Sequence, residues 1–180
     1  MKIMVASDVH GSGAACKKLI ANFHKEKADV LLLLGDLYYH GPRNPLPEEY
    51  APMKVCEMLT EIKENLIAVK GNCDGDVDQM ISAFPIEKNA QILLGTRRVY
   101  ATHGDVYSAE NLPPLPKGSV VLFGHTHVAG IWQKDGITAV NPGSCSLPKN
   151  DTVAGFVLLT ENEVTFKTLN GDTYKSVSLC

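Results

Sequence analysis

A chain of 180 residues, 44% hydrophobic and 21% charged, is an ordinary globular polypeptide able to bury one substantial core, and residues 1–180 are expected to form one domain. A net charge of −3 without any local Lys/Arg cluster excludes the electrostatic footprint of a nucleic-acid polymer or an anionic membrane as partner. Ile3-Met4-Val5-Ala6 is too short for a signal-peptide core and no run reaches membrane-spanning length, so a cytoplasmic location is expected. Cys16, Cys56, Cys73, Cys145 and Cys180 are odd in number, scattered and without a Cys-x-x-Cys pair, which argues against a disulfide framework and a structural zinc site.

Lys2 to Ala6 reads as a strand ending in Ser7-Asp8-Val9-His10-Gly11. Cys16, Leu19, Ile20 and Phe23 recur at helical spacing and predict an amphipathic helix over 13–27. Asp29 to Leu34 is a continuous apolar run, the mark of a strand buried on both faces, and it ends in Gly35-Asp36. Strand, helix, strand predicts a parallel crossover. A long loop follows, Leu37-Tyr38-Tyr39-His40-Gly41-Pro42-Arg43-Asn44-Pro45; long loops in compact folds are usually functional. Val55, Met58, Leu59 and Ile62 form the stripe of a second helix begun near Pro52, and Leu66 to Val69 returns to a strand ending in Gly71-Asn72-Cys73-Asp74. Val77, Met80, Ile81 and Phe84 predict a short helix stopped by Pro85.

Beyond this point the apolar period falls to two. Gln91 to Leu94 and Arg98 to Thr102 flank Gly95-Thr96-Arg97 as a hairpin, and the second strand ends in His103-Gly104-Asp105. Residues 108–117 are loop. Val120 to Phe123 is a buried strand that stops at Gly124 and presents His125-Thr126-His127; an extended backbone there would send both imidazoles to one small volume. Two strands surround Asp135-Gly136, Asn141-Pro142-Gly143-Ser144 is a tight turn, and three strands occupy residues near 153–159, 163–169 and 173–178. A βαβ-rich first half and a hairpin-rich second half predict a mixed α/β (α+β) fold: a four-layer αββα sandwich of two mixed β-sheets face to face, helices outside.

Five apolar runs thus end at Asp8/His10, Asp36, Asn72, His103 and His125/His127. Strand ends on one side of a sheet pair converge in space, so these seven side chains can meet. Imidazoles, carboxylates and an amide oxygen without thiolates are the donor set of a nitrogen- and oxygen-ligated divalent metal, favouring manganese, iron or catalytic zinc over magnesium or calcium.

The ordered set Asp-x-His, Gly-Asp, Gly-Asn, His and Gly-His-x-His over residues 8–127 resembles the calcineurin-like metallophosphoesterase family, and the whole chain resembles its small bacterial YfcE-type phosphodiesterase branch. The resemblance implies two divalent metal ions, manganese first with zinc, iron and nickel as the other candidates. It puts Asp8, His10 and His127 on one ion, Asn72, His103 and His125 on the other, and Asp36 across both. It implies hydrolysis of a small phosphodiester by in-line attack of a hydroxide held between the ions, about 3.5–4 Å apart, without a covalent enzyme intermediate. A homo-oligomer is implied by analogy alone.

His40 and Arg43 lie in a His-Gly-Pro-Arg-Asn segment that also resembles the branch and would bind substrate. Arg43 is read either as a bidentate phosphate ligand or as a surface arginine on a proline-rich loop, and His40 either as a contact or as a solvated side chain. The family's Gly-Asn-His is Gly-Asn-Cys here. That histidine is the general acid in many members. Cys73 is a poorer one, at a reference pKa near ~8.5 against ~6.5, and Asp74 loses the imidazole it would orient. Cys73 also reads as a small residue that merely fits. The change favours diesters and good leaving groups; the rival readings are a phosphomonoesterase with the same site and a non-catalytic scaffold like the small retromer subunit.

Overall fold

The computed structural model describes residues 1–179. Chain order is β1 (Ile3–Ala6), α1 (Gly13–Glu26), β2 (Val30–Leu33), α2 (Pro52–Glu61), β3 (Leu66–Val69), α3 (Asp76–Ile81), β4 (Ile86–Glu87), β5 (Ala90–Leu94) and β6 (Arg97–Ala101). Then come β7 (Val120–Leu122), β8 (Gly130–Lys134), β9 (Ile137–Asn141), β10 (Gly155–Leu159), β11 (Glu163–Thr168) and β12 (Thr173–Ser178). They build two mixed sheets, one of seven strands ordered β12-β11-β10-β1-β2-β3-β4 and one of five ordered β5-β6-β7-β9-β8. The crossovers expected in the first half do make β1, β2, β3 and β4 parallel. The middle of the smaller sheet, β6, β7 and β9, is parallel too, with antiparallel β5 and β8 at its edges.

Alternation along the strands separates the layers. Ile3 and Val5 of β1 and Leu32 of β2 point into the space between the sheets, against Val99, Ala101, Val120 and Leu122. Met4, Ala6, Leu31 and Leu33 point the other way, onto Leu19 and Phe23 of α1 and Val55 and Leu59 of α2. Each fully buried aliphatic side chain contributes about 1.5–3 kcal/mol relative to exposure, so both faces of the larger sheet are strongly specified. The helices are few and lie on that sheet. The outer face of the smaller sheet, at Val121, Phe123, Ile137 and Ala139, is covered by Ala109, Leu112 and Leu115 of the irregular segment before β7.

Helix α1 begins at Ser12, whose Oγ accepts from the Ala15 amide (3.2 Å) while donating to the Glu48 carbonyl (2.7 Å), fixing the helix to the long loop. Helix α3 forms with its apolar positions turned outward: Val77 and Met80 are 62% and 83% exposed, and Phe84 beyond it is buried. The reason is Asp78, whose carboxylate accepts from the Gly75 amide (2.6 Å) and whose carbonyl accepts from Ser82. It takes the inward position that a two-turn helix has to offer. Pro85 is followed by β4, a two-residue strand that the sequence pattern did not signal. Cys16, Cys56 and Cys145 are free and buried, and burial pushes the Cys16 thiol up to about 12, which makes it inert; Cys180 lies outside the described residues. No helix among the described residues is long and apolar enough to cross a membrane.

What positions the site is that its loops leave the carboxyl ends of parallel strands from both sheets, the usual location of ligands in such sheets. Pairing continues past the strands, with Asp8 N on Gly35 O (3.1 Å), His10 N on Asp36 O (2.8 Å) and Gly124 N on His103 O (2.6 Å). Asp74 supplies the remaining tie. Its buried carboxylate accepts from the amides of Gly71 (2.7 Å), Asp36 (2.8 Å) and Leu37 (2.8 Å), joining the loops after β2 and β3. Gly71 is required there, because a Cβ would strike the Asp36 carboxylate and amide. In Asp74→Ala three buried amides lose one shared acceptor, and the free energy of unfolding is expected to fall by roughly 2–5 kcal/mol in urea titrations. An unchanged midpoint would show that the loops are held by something else.

Candidate metal centre

Asp8 and His10 follow β1, Asp36 follows β2, Asn72 follows β3, His103 follows β6, and His125 and His127 follow β7. All seven meet between the sheets, in two groups. In the first, His10 Nε2 lies 3.1 Å from His127 Nε2, and Asp8 Oδ1 is 3.6 Å from the one and 3.3 Å from the other. In the second, Asn72 Oδ1 is 2.9 Å from His103 Nε2 and 2.7 Å from His125 Nδ1, and those two nitrogens are 3.2 Å apart. Asp36 stands between the groups, its Oδ2 lying 3.7 Å from His10 Nε2 and 3.6 Å from His103 Nε2.

The expectation that an extended backbone sends His125 and His127 to one volume is corrected here: His125 joins the second group and His127 the first. Both have left-handed backbone, φ +65° and +61°, as do Asp8, His10 and Asp36 at +56°, +49° and +55°. Such conformations cost on the order of 1–3 kcal/mol each for a residue with a Cβ and concentrate at functional sites. Nothing in a Gly-His-x-His string signals them.

Hydrogen bonding fixes the tautomers. The Nδ1–H groups of His10, His127 and His103 donate to the carbonyls of Tyr39, Leu147 and Leu34, each at 2.7 Å. In the neutral rings Nε2 is therefore a bare lone pair. Acceptor then faces acceptor at His10/His127 and at His103/Asn72, an arrangement that requires a proton or a cation between them. Asp8 Oδ1 is fully buried and has no hydrogen-bond partner, while Asp8 Oδ2 accepts from the His125 amide at 3.1 Å. An orphaned carboxylate oxygen amid converging lone pairs fits a divalent metal with nitrogen and oxygen ligands.

Protonation follows the same crowding. Burial alone would raise the Asp8 carboxyl, yet the His10 and His127 imidazoles outweigh it and hold the group well below the usual carboxylate range. Burial would likewise lower His10, but the Asp8 carboxylate and the Tyr39 carbonyl raise it overall. Burial, with neighbouring His103, lowers His125 and keeps its ring neutral.

A cavity of about 550 Å³ opens over both groups, lined by Asp36, Asn72, Cys73, His125 and His127, with Arg43 and Lys149 on its rim. Arg43 is exposed and, among the described residues, has no hydrogen-bonding partner. His40 lies outside this lining, edge-on between Tyr39 and Tyr50 at ring separations of 4.9 and 5.2 Å. Cys73 borders the cavity, its amide donating to Asp36 Oδ1 (2.8 Å), and burial together with the Asp36 charge pushes its thiol up to about 12. Asp74 faces away from the cavity, onto the three amides already described.

Two further contributors lie in stretches the sequence reading set aside. Lys149 is an isolated surface lysine in the sequence; its amide donates to the His127 carbonyl at 3.1 Å. The Asn141-to-Ser144 segment, expected to be a plain turn, braces the ligand loops together with Ser146 beyond it. Ser144 Oγ and Ser146 Oγ donate to the Asp8 carbonyl (2.8 and 2.9 Å), and Asn141 Nδ2 donates to the Gly124 carbonyl (2.8 Å). The available signal was that Asn141-Pro142-Gly143-Ser144 resembles the family branch, and a tight turn explains Asn-Pro-Gly equally well.

Against known proteins, a family model described as the calcineurin-like phosphoesterase superfamily domain matches residues 1–163. Phosphodiesterase YfcE of Escherichia coli is 44% identical, over 94% of this chain and 93% of that protein. The probable metallophosphoesterase YsnB of Bacillus subtilis is 29% identical, over 91% of this chain and 86% of that protein. The solved structure of Yfce, a phosphoesterase from E. coli, matches with a TM-score of 0.96 and 42% identity over 100% of both chains. With a paired-sheet fold, converging Asp and His donors and a family match over nearly the whole length, this chain belongs to the calcineurin-like phosphoesterase superfamily.

Proposed function

We propose that this protein is a phosphodiesterase working with two divalent ions, manganese by preference. Asp8, His10 and His127 would hold one ion, Asn72, His103 and His125 the other, with Asp36 placed between the two groups. The observation that carries the reading is the Asp36 carboxylate, its Oδ2 nearly equidistant, at 3.7 and 3.6 Å, from an imidazole of each group. A shared anion offsets the repulsion between two close dications. When bound, the ions would supply Lewis-acid stabilisation of phosphoryl oxygens and lower the pKa of a water nucleophile.

The chain's own side chains do the rest. Arg43 and Lys149 draw the phosphate to the cavity mouth, and Arg43, free of internal partners, is available to hold an oxygen bidentately. Cys73 is a poorer proton donor than an imidazole in that place, with a reference pKa of ~8.5 against ~6.5, so leaving groups that depart unassisted are favoured. The phosphodiesterase named in the 44% identical relative supports the same substrate class. A purely scaffolding role leaves unexplained why seven competent donors converge, three of them imidazoles whose Nε2 lone pairs face other acceptors.

Three outcomes are expected. Elemental analysis of purified protein should find up to two transition-metal ions per chain, and chelation should abolish diesterase activity; metal-free protein with activity untouched by chelator would overturn the reading. Asp36→Ala should cost on the order of 10³-fold in kcat/KM, several kcal/mol of charge stabilisation, and Arg43→Ala roughly tenfold. Equal losses in folded variants would count against the shared carboxylate. Cys73→His should raise activity on monoesters with poor leaving groups relative to an activated aryl diester by up to about 10²-fold, the low end for general acid catalysis. Metal content must be determined on the same preparation, and an unchanged ratio would assign substrate preference to cavity shape.

A further inference from the structure

A second cavity, about 590 Å³ and within the ~300–1,000 Å³ of small-molecule sites, adjoins the first. Its walls include Gly104, Thr126 and Val128, each the immediate successor of an imidazole of the metal centre, and Thr126 lines both cavities. The far wall is aromatic. Trp132 is 41% exposed and tilted 41° against Phe123 at a centroid distance of 5.5 Å. Gly130, two residues before it on the same strand face, makes room for the indole, since a Cβ there would overlap the ring. The exposed indole is thus held in one place.

Charge separates the two cavities. The first carries Arg43 and Lys149 beside Asp36, whereas Ser108 and Glu110 line the second and no lysine or arginine does, the Lys134 ammonium lying beside that lining on the Glu110 carbonyl at 3.0 Å. An anionic phosphate is drawn to the first, where the metal ligands also lie. From this we infer that the Trp132 cavity takes one ester group of the substrate, and that this group is a planar aromatic, aryl or nucleobase, laid against the indole while its phosphate sits over the metal centre. The inference rests on the phosphodiesterase reading and adds a substrate class to it. Stacking uses the exposed face of Trp132, with Ser108 and Glu110 available to the polar edge of a base.

The chain contains one tryptophan, so indole emission reports on this cavity alone. The metal-loaded protein would be titrated with phenylphosphonate against methylphosphonate, and with adenosine monophosphate against ribose phosphate, following emission and heat of binding. Each aromatic ligand that occupies the cavity should quench Trp132 and bind roughly tenfold more tightly than its non-aromatic counterpart. The advantage should vanish in Trp132→Ala and survive in Trp132→Phe. Quenching by the phosphonate alone identifies an aryl group, and quenching by the nucleotide a nucleobase. Equal affinities within both pairs, with emission unchanged, overturn the inference while leaving the phosphodiesterase reading intact. Loss of hydrolysis with the aromatic preference preserved would do the reverse.

Discussion

Three buried imidazoles each donate Nδ1–H to a main-chain carbonyl, and that choice of tautomer governs the centre. Once those carbonyls are satisfied, the Nε2 lone pairs have nowhere to point except toward one another and toward two carboxylates. Neutral protein atoms placed this way repel. The arrangement becomes favourable when positive charge enters, which links the folded geometry of His10, His103 and His127 directly to the metal-dependent chemistry of the superfamily.

Holding such a cluster takes rigid support, and the two parallel strand sets provide it. Five site residues carry left-handed backbone without being glycine. That strain is offset by bonds from outside the cluster: Asp74 on three amides, Ser144 and Ser146 on the Asp8 carbonyl, and Asn141 on the Gly124 carbonyl. The two sheet cores fix where the loops start, and these polar ties fix how they turn. A displaced donor would leave a buried lone pair or charge uncompensated, so positional error here is costly in free energy as well as in rate.

Asp74 illustrates how one motif can change work. With Cys73 where the family resemblance implies histidine, no imidazole is left for the carboxylate to orient. The side chain is nonetheless fully employed, because Gly71, Asp36 and Leu37 present three amides to it. Burial raises its pKa and those amides counter the shift, as expected of a carboxylate serving as an internal acceptor. A cysteine at position 73 therefore leaves the loops that carry Asp36 and Asn72 tied together.

Much of this was legible in the sequence because periodicity and motif order are local properties. Apolar runs ending in Asp8, Asp36, Asn72, His103 and His125 located the strand ends, and the unbroken apolar run of β2 already implied layers on both sides. The donor set follows from residue type. What local pattern could not supply is whatever depends on atoms distant in the chain. His125 and His127 part company because left-handed backbone, fixed by contacts with Asp8 and with residues 141–149, replaces extended geometry. The apolar positions of α3 face solvent because Asp78 finds its partners inside, although the spacing alone reads as a buried stripe. Lys149 and Trp132 come to the cavities through tertiary packing, across separations no motif spans. The sequence by itself determined which chemical groups are available and in what order the strands deliver them. Tertiary structure decided which lone pairs share a cation site and which aromatic face lies beside it, because those are properties of distance between chain segments.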